Sequence, residues 1–170
     1  RKYFPLFSDK QIQHLEEAHK ADLDSSYLVA RSEEAIAEVY TNMSGDTGCM
    51  RRSGSSFGFG SSRHPSVAYT GPGFGVAYLL SPTKQIVARC VIWVNPDKSD
   101  DKRAVRVYGH PTLRRKLLAD GFKFVPLTGA KLAKVPLPGG DKVPNRYYLP
   151  YLDGPEGHQS DTRGNYVRIS

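Results

Sequence analysis

Cys49, His64 and Asp46 are residue types that can perform nucleophilic catalysis. Cys49 follows a Gly-Asp-Thr-Gly turn, and a helical turn opening there would place backbone N–H groups around a thiolate. His64 lies fifteen positions on and could fold back as the general base, with Asp46 orienting it. Arg89 would then hold the anionic part of the substrate. Against this chemistry, the local signatures of cysteine proteases are absent. A free cysteine is also more often a small buried residue, here beside Met50.

The residues between Cys49 and His64 suggest a different chemistry. Arg51, Arg52 and Arg63 bracket a glycine- and serine-rich run. Gly54, Gly58 and Gly60 allow close backbone approach to a ligand, and the serines can donate to phosphate. Phe57 and Phe59 are placed to stack on bases. The run lacks the Gly-Lys-Ser/Thr ending of a phosphate-binding P-loop, and no strand precedes it as a dinucleotide fingerprint requires. It reads equally well as a connector whose phenylalanines tack onto the core. Arg89 stands inside an apolar strand, where a buried cation needs a partner. That partner is either a ligand phosphate or carboxylate, or a protein acid such as Glu38 or Asp153. His110 opens a helix whose outer turn carries Arg114, Arg115 and Lys116, a basic surface that can dock on phosphates or simply face water. His14 and His19 are five apart rather than four, and no cysteine pair joins them, so neither a metal site nor a cofactor is expected.

Charge fits the polyanion reading and, equally, a basic pI kept for solubility. The net charge is +7, unevenly spread. Residues 1–46 hold five basic and nine acidic side chains, residues 47–148 hold 17 and five, and residues 149–170 hold two and three. An acidic N-terminal segment therefore precedes a basic body, with no acid between Asp46 and Asp97. At 170 residues and a mean hydropathy of −0.48, the chain suits a single folded domain. No apolar run approaches the ~18–20 residues of a membrane span, and no membrane partner is expected. Two cysteines are too few for a disulfide framework and favour a reducing compartment. The chain opens at Arg1 with no signal-peptide pattern, as a processed chain or a fragment of a longer one would.

The elements that must position these residues follow from period and punctuation. Ser8 and Gln11 form a capping box, with Phe7 and Ile12 placed as a staple, for a helix fading near residues 21–26. A second helix follows Ser32, with Glu33 and Glu34 in its first turn and an apolar stripe of Ala35, Ile36, Val39, Tyr40 and Met43. It stops at Ser44-Gly45. Residues 75–80 and 85–94 predict a hairpin around Ser-Pro-Thr-Lys. In its second strand Ile86, Ala88, Cys90, Ile92 and Val94 alternate with Val87, Arg89, Val91 and Trp93. Both faces are apolar, as in a central strand covered on both sides. Residues 104–108 predict a further strand. A third helix spans residues 111–120, with Leu113, Leu117 and Leu118 inward and Gly121 as its stop. Strands are predicted over 122–127, 130–135 and 146–152, with a short last one at 166–169. The fold expected is α+β, a mainly antiparallel sheet with two N-terminal helices and one inserted helix.

Tyr40, Gly48-Cys49-Met50, His64-Pro65, Tyr69, Ala88-Arg89 and Pro150-Tyr151-Leu152-Asp153-Gly154 occur in an order that resembles a group of tailed-phage proteins without an assigned activity. A looser likeness runs to PcfJ-type proteins of conjugative elements. The chain departs from the pattern at Gly48, where serine is expected, and in the glycine-serine run. The resemblance implies an origin in a phage or mobile element and a role in the cytoplasm of the infected cell. The leading expectation is a non-enzymatic accessory protein that binds nucleic acid or another polyanion through Arg51, Arg52, Arg63, Arg114, Arg115 and Lys116, with Phe57 and Phe59 stacking. The alternatives are a cysteine-nucleophile enzyme using Cys49, His64 and Arg89, and an inhibitor of a host protein.

Overall fold

A computed structural model describes Lys10 and residues 26–45, 64–133, 135–136, 147–148 and 166–169. Its centre is a five-stranded sheet whose spatial order follows the chain: β1 (Leu28–Ala30), β2 (Phe74–Leu80), β3 (Ile86–Val94), β4 (Lys102–Gly109) and β5 (Lys123–Phe124). The first four strands are mutually antiparallel. β5 runs parallel to β4, because the helix α2 (Thr112–Ala119) carries the chain back between them. With helix α1 (Glu33–Asn42) on the other side of the sheet, the architecture is α+β, as the alternation of apolar periods predicts. Of the expected first helix, only Lys10 is described, and it is helical.

The second helix forms as predicted. The Ser32 hydroxyl accepts from the Ala35 N–H at 3.1 Å, satisfying one of the open donors of the first turn. Ile36, Val39 and Tyr40 face the sheet. Two short helical segments share a device that the sequence analysis passes over. His64 caps a 3₁₀ helix (Pro65–Thr70) by accepting the Ser66 N–H on Nδ1 at 3.1 Å. His110 accepts the Thr112 N–H on Nδ1 at 3.2 Å, ahead of α2. In each His-Pro-Ser/Thr sequence the proline occupies a position whose N–H has no helical role, and the imidazole supplies the cap.

Both faces of β3 are covered, and two cores result. Tyr40, Tyr69, Val76, Val91 and Trp93 belong to the core under α1 and the 3₁₀ helix. Ala77, Leu79, Cys90, Ile92, Leu113 and Leu117 belong to the core under α2. Two irregularities correct the simple alternation. Leu79 pairs with Ala88 but Leu80 with Ile86, so Val87 is an inserted residue. Ile86 thereby joins the α1 side and Val87 the α2 side, the reverse of their expected faces. In β4, Val105 and Arg106 together oppose the single residue Val91. Leu118 also departs from expectation and is 48% exposed. An eight-residue helix has room for one stripe, and Leu113 and Leu117 fill it at i, i+4.

The strand predicted over 122–127 is confined to β5, and of the one predicted over 146–152 only residues 147–148 are described. β6 (Lys131–Ala133) pairs with β9 (Tyr166–Arg168), and β7 (Val135–Pro136) pairs with β8 (Tyr147–Tyr148), both antiparallel. Leu127, Ala130, Leu132 and Ile169 close the α1-side core. Gly109 ends β4 with φ +96°, and a Cβ there would lie 2.3 Å from the Val87 carbonyl oxygen and 2.6 Å from Met43 Cε. Only glycine allows β4 to turn directly into the His110 cap.

Tyr27, just before β1, packs on the α2-side core, and its hydroxyl donates to Asp120 Oδ2. Burial, this hydrogen bond and the carboxylate charge together raise its phenol pKa well above the ordinary value. The folded state therefore favours the neutral phenol. The stability it contributes is complete below about pH 10 and is lost as pH rises toward the raised value. In urea titrations between about pH 9 and pH 11, Tyr27→Phe is expected to show a shallower alkaline loss of stability than the parent; an identical loss would contradict the assignment.

Candidate nucleic-acid interface

Cys49, Arg51, Arg52, Phe57, Phe59, Arg63 and Asp153 lie outside the described residues. His64, Arg89, Arg114, Arg115 and Lys116 are described, and they fall into two groups.

The first group is buried. Arg89 is 3% exposed at the middle of β3. Its register partners are Tyr78 on β2 and Tyr108 on β4, which share its face of the sheet. The guanidinium carbon lies 4.4 Å from the Tyr40 ring centroid and 4.9 Å from that of Tyr108. Nη1 donates to Met43 Sδ at 3.1 Å. Two aromatic faces thus flank a delocalised, weakly hydrated cation, an arrangement that offsets part of its desolvation. Among the described residues no ion pair joins Arg89 to Glu38, which instead lines an open groove of about 490 Å³ between α1 and the β2–β3 turn.

His64 meets the same cluster. Its ring centroid lies 5.8 Å from that of Tyr40, which also stacks on Tyr69 at 6.1 Å. His64 and Arg89 therefore converge on Tyr40, although 25 positions separate them in the chain. Nδ1 of His64 accepts from the backbone N–H of Ser66 and lies 2.7 Å from its hydroxyl. An acceptor Nδ1 corresponds to the neutral tautomer with its proton on Nε2, so the buried ring offers a donor there. General-base action through Nε2 requires that proton to leave first.

The second group is superficial and basic. Arg114 and Arg115 are exposed on α2, and Lys116 is half-buried. Arg114 lies over Phe124, its guanidinium carbon 4.1 Å from the ring centroid. Arg115 Nη2 donates to Thr112 Oγ1 at 2.9 Å. The strands flanking α2 add cations that the sequence analysis overlooked. Lys102 lies over Phe122 at 5.2 Å and donates to the Asp120 carbonyl. Arg106, the exposed residue of the β4 bulge, lies over Tyr108 at 5.1 Å. Lys123 is exposed on β5. The sequence does carry the signal, since residues 102–119 contain six lysines and arginines and no acid.

Arg103 has a different role. It donates to both Asp101 carboxylate oxygens and to the Pro126 and Thr128 carbonyls, clamping the segment after β5 against β4. Its guanidinium holds the Asp101 carboxyl below the usual carboxylate range, with Asn95 assisting. One acid, Asp120, interrupts the basic unit, and the Tyr27 hydroxyl binds its carboxylate.

Among the described residues, no cluster of three or more His, Cys, Asp or Glu side chains could hold a metal ion, and no helix is long and apolar enough to cross a membrane. No family model, curated protein or solved structure matches the chain.

If Arg89 is held by ring faces and packing, losing the side chain should cost more than losing a surface charge. Arg89→Ala is expected to lower the unfolding free energy by about 3 kcal/mol, and Arg89→Lys, which keeps charge but not the plane, by about 1–2 kcal/mol. Urea denaturation checks both; an alanine variant within about 0.5 kcal/mol of the parent would contradict the assignment.

Proposed function

We propose that the protein binds nucleic acid, or another polyanion, through the basic surface of β4, α2 and β5, acting as an accessory protein of a phage or mobile element inside the infected cell. The observation that carries this reading is the concentration of Lys102, Arg106, Arg114, Arg115, Lys116 and Lys123 on one β–α–β unit, with Asp120 as its single acid. Such a field attracts phosphates and repels few of them. Arg51, Arg52 and Arg63 add three further cations to this function, with Phe57 and Phe59 as stacking groups. The buried Arg89 supports the strand that carries Arg106 through its contact with Tyr108.

Fluorescence anisotropy with labelled DNA and RNA oligonucleotides tests this. Binding should fall steeply with salt, the logarithmic slope being about 0.9 per phosphate neutralised. Replacing Arg114, Arg115 and Lys116 together by alanine should weaken binding and lower that slope by about two to three. No binding at low salt, or binding without salt dependence, would remove the proposal.

A further inference from the structure

Five basic side chains of this body, Arg89, Lys102, Arg103, Arg106 and Arg114, lie over aromatic rings within a stretch of 26 residues. Arg89 and Arg103 are accounted for by the core and by the clamp on residues 126–128, and Lys102 has no planar head. Arg106 and Arg114 remain, and they share three properties. Each is exposed, each is planar, and each has one face occupied by a ring.

A lysine or arginine that contacts duplex phosphates works as a mobile charge on a flexible stem. An arginine laid on a ring gives up that freedom and presents instead a fixed, flat, cationic outer face. The ring beneath Arg114 is itself fixed, because Phe124 packs against the α2-side core. The ring beneath Arg106 is also contacted by the buried Arg89, whose guanidinium carbon lies 4.9 Å from its centroid. Unpaired bases stack on guanidinium planes of this kind, whereas bases within a duplex are already stacked on each other. Tyr108 shares a sheet face with Arg89 and Phe124 packs on the opposite side, so the two platforms sit on the two faces of the β4 margin. β5 pairs only with Arg103 and Ala104, and among the described residues no strand pairs with β4 beyond them on that side.

Resting on the polyanion reading above, we infer that the partner is single-stranded nucleic acid, with unpaired bases stacked on the outer faces of Arg106 and Arg114. Arg115, Lys116 and Lys123 then neutralise the phosphates of the same strand.

The test is anisotropy with a mixed-sequence strand of about 15 nucleotides, free or annealed to its complement, with heparin as a polyanion lacking bases. Arg106→Lys and Arg114→Lys keep the charge and remove the plane. The free strand should bind about tenfold more tightly than the duplex. Each lysine variant should weaken binding of the free strand about three- to tenfold, and by a clearly larger factor than it weakens heparin binding. Equal affinity for strand and duplex, or lysine variants indistinguishable from the parent on the free strand, would overturn the inference and leave the polyanion reading standing. Failure to bind any of the three probes would overturn both. Far-ultraviolet circular dichroism and urea midpoints of the variants confirm that the comparison is between folded proteins.

Discussion

The placement of Arg89 constrains much of the rest. Moving a guanidinium from water to the middle of a sheet costs several kcal/mol unless its surroundings compensate. Here the compensation comes from three separate elements. α1 delivers Tyr40 and Met43, β4 delivers Tyr108, and β3 itself places the arginine opposite that tyrosine. A slip of one residue in the β3–β4 register would send Tyr108 to the other face and leave the cation against aliphatic side chains. The irregular pairings at Val87 and at Val105–Arg106 belong to this requirement. The first brings Ile86 to the α1 side, where its carbonyl accepts the Ser44 N–H at 2.9 Å. The second turns Arg106 toward Tyr108.

From that constraint follows the character of the surface. Tyr108 lies between a buried arginine and an exposed one, linking the core to the basic face. Elsewhere on β4, α2 and β5 the same solution recurs, with Lys102 on Phe122 and Arg114 on Phe124. Aromatic faces stabilise cations without neutralising them. Asp101 precedes this unit and Asp120 lies within it, and Arg103 and Tyr27 respectively engage their carboxylates.

Much of this fold was legible in the sequence, and the failures have identifiable physics. The β2–β3 hairpin, the doubly covered β3, the Ser32 cap and the Gly121 stop all rest on local signals, and the structure has them. β1 is three residues long and borrows its stability from β2, so it has too little pattern to read. The 3₁₀ helix is capped by an imidazole after a sequence rich in glycine and serine, and nothing local announces that His64 will act as an acceptor. The irregular pairings at Val87 and Val105–Arg106 exchange faces that strict alternation assigns, and no local signal marks them. Of the candidate site, Arg114, Arg115 and Lys116 were legible as a basic helix face. Lys102 and Arg106 on β4 and Lys123 on β5 read as strand residues apart from the helix, and the chain topology brings their strands and α2 into one unit. The convergence of His64 and Arg89 on Tyr40 is likewise a tertiary fact.

The central claim is that the β4–α2–β5 surface receives a nucleic-acid strand. Hydrogen–deuterium exchange with and without a saturating single-stranded oligonucleotide tests it most directly. The account predicts added protection in peptides covering residues 102–124, with α1 and the β2–β3 turn unchanged. Protection confined to α1 and that turn, with residues 102–124 unaffected, would contradict it.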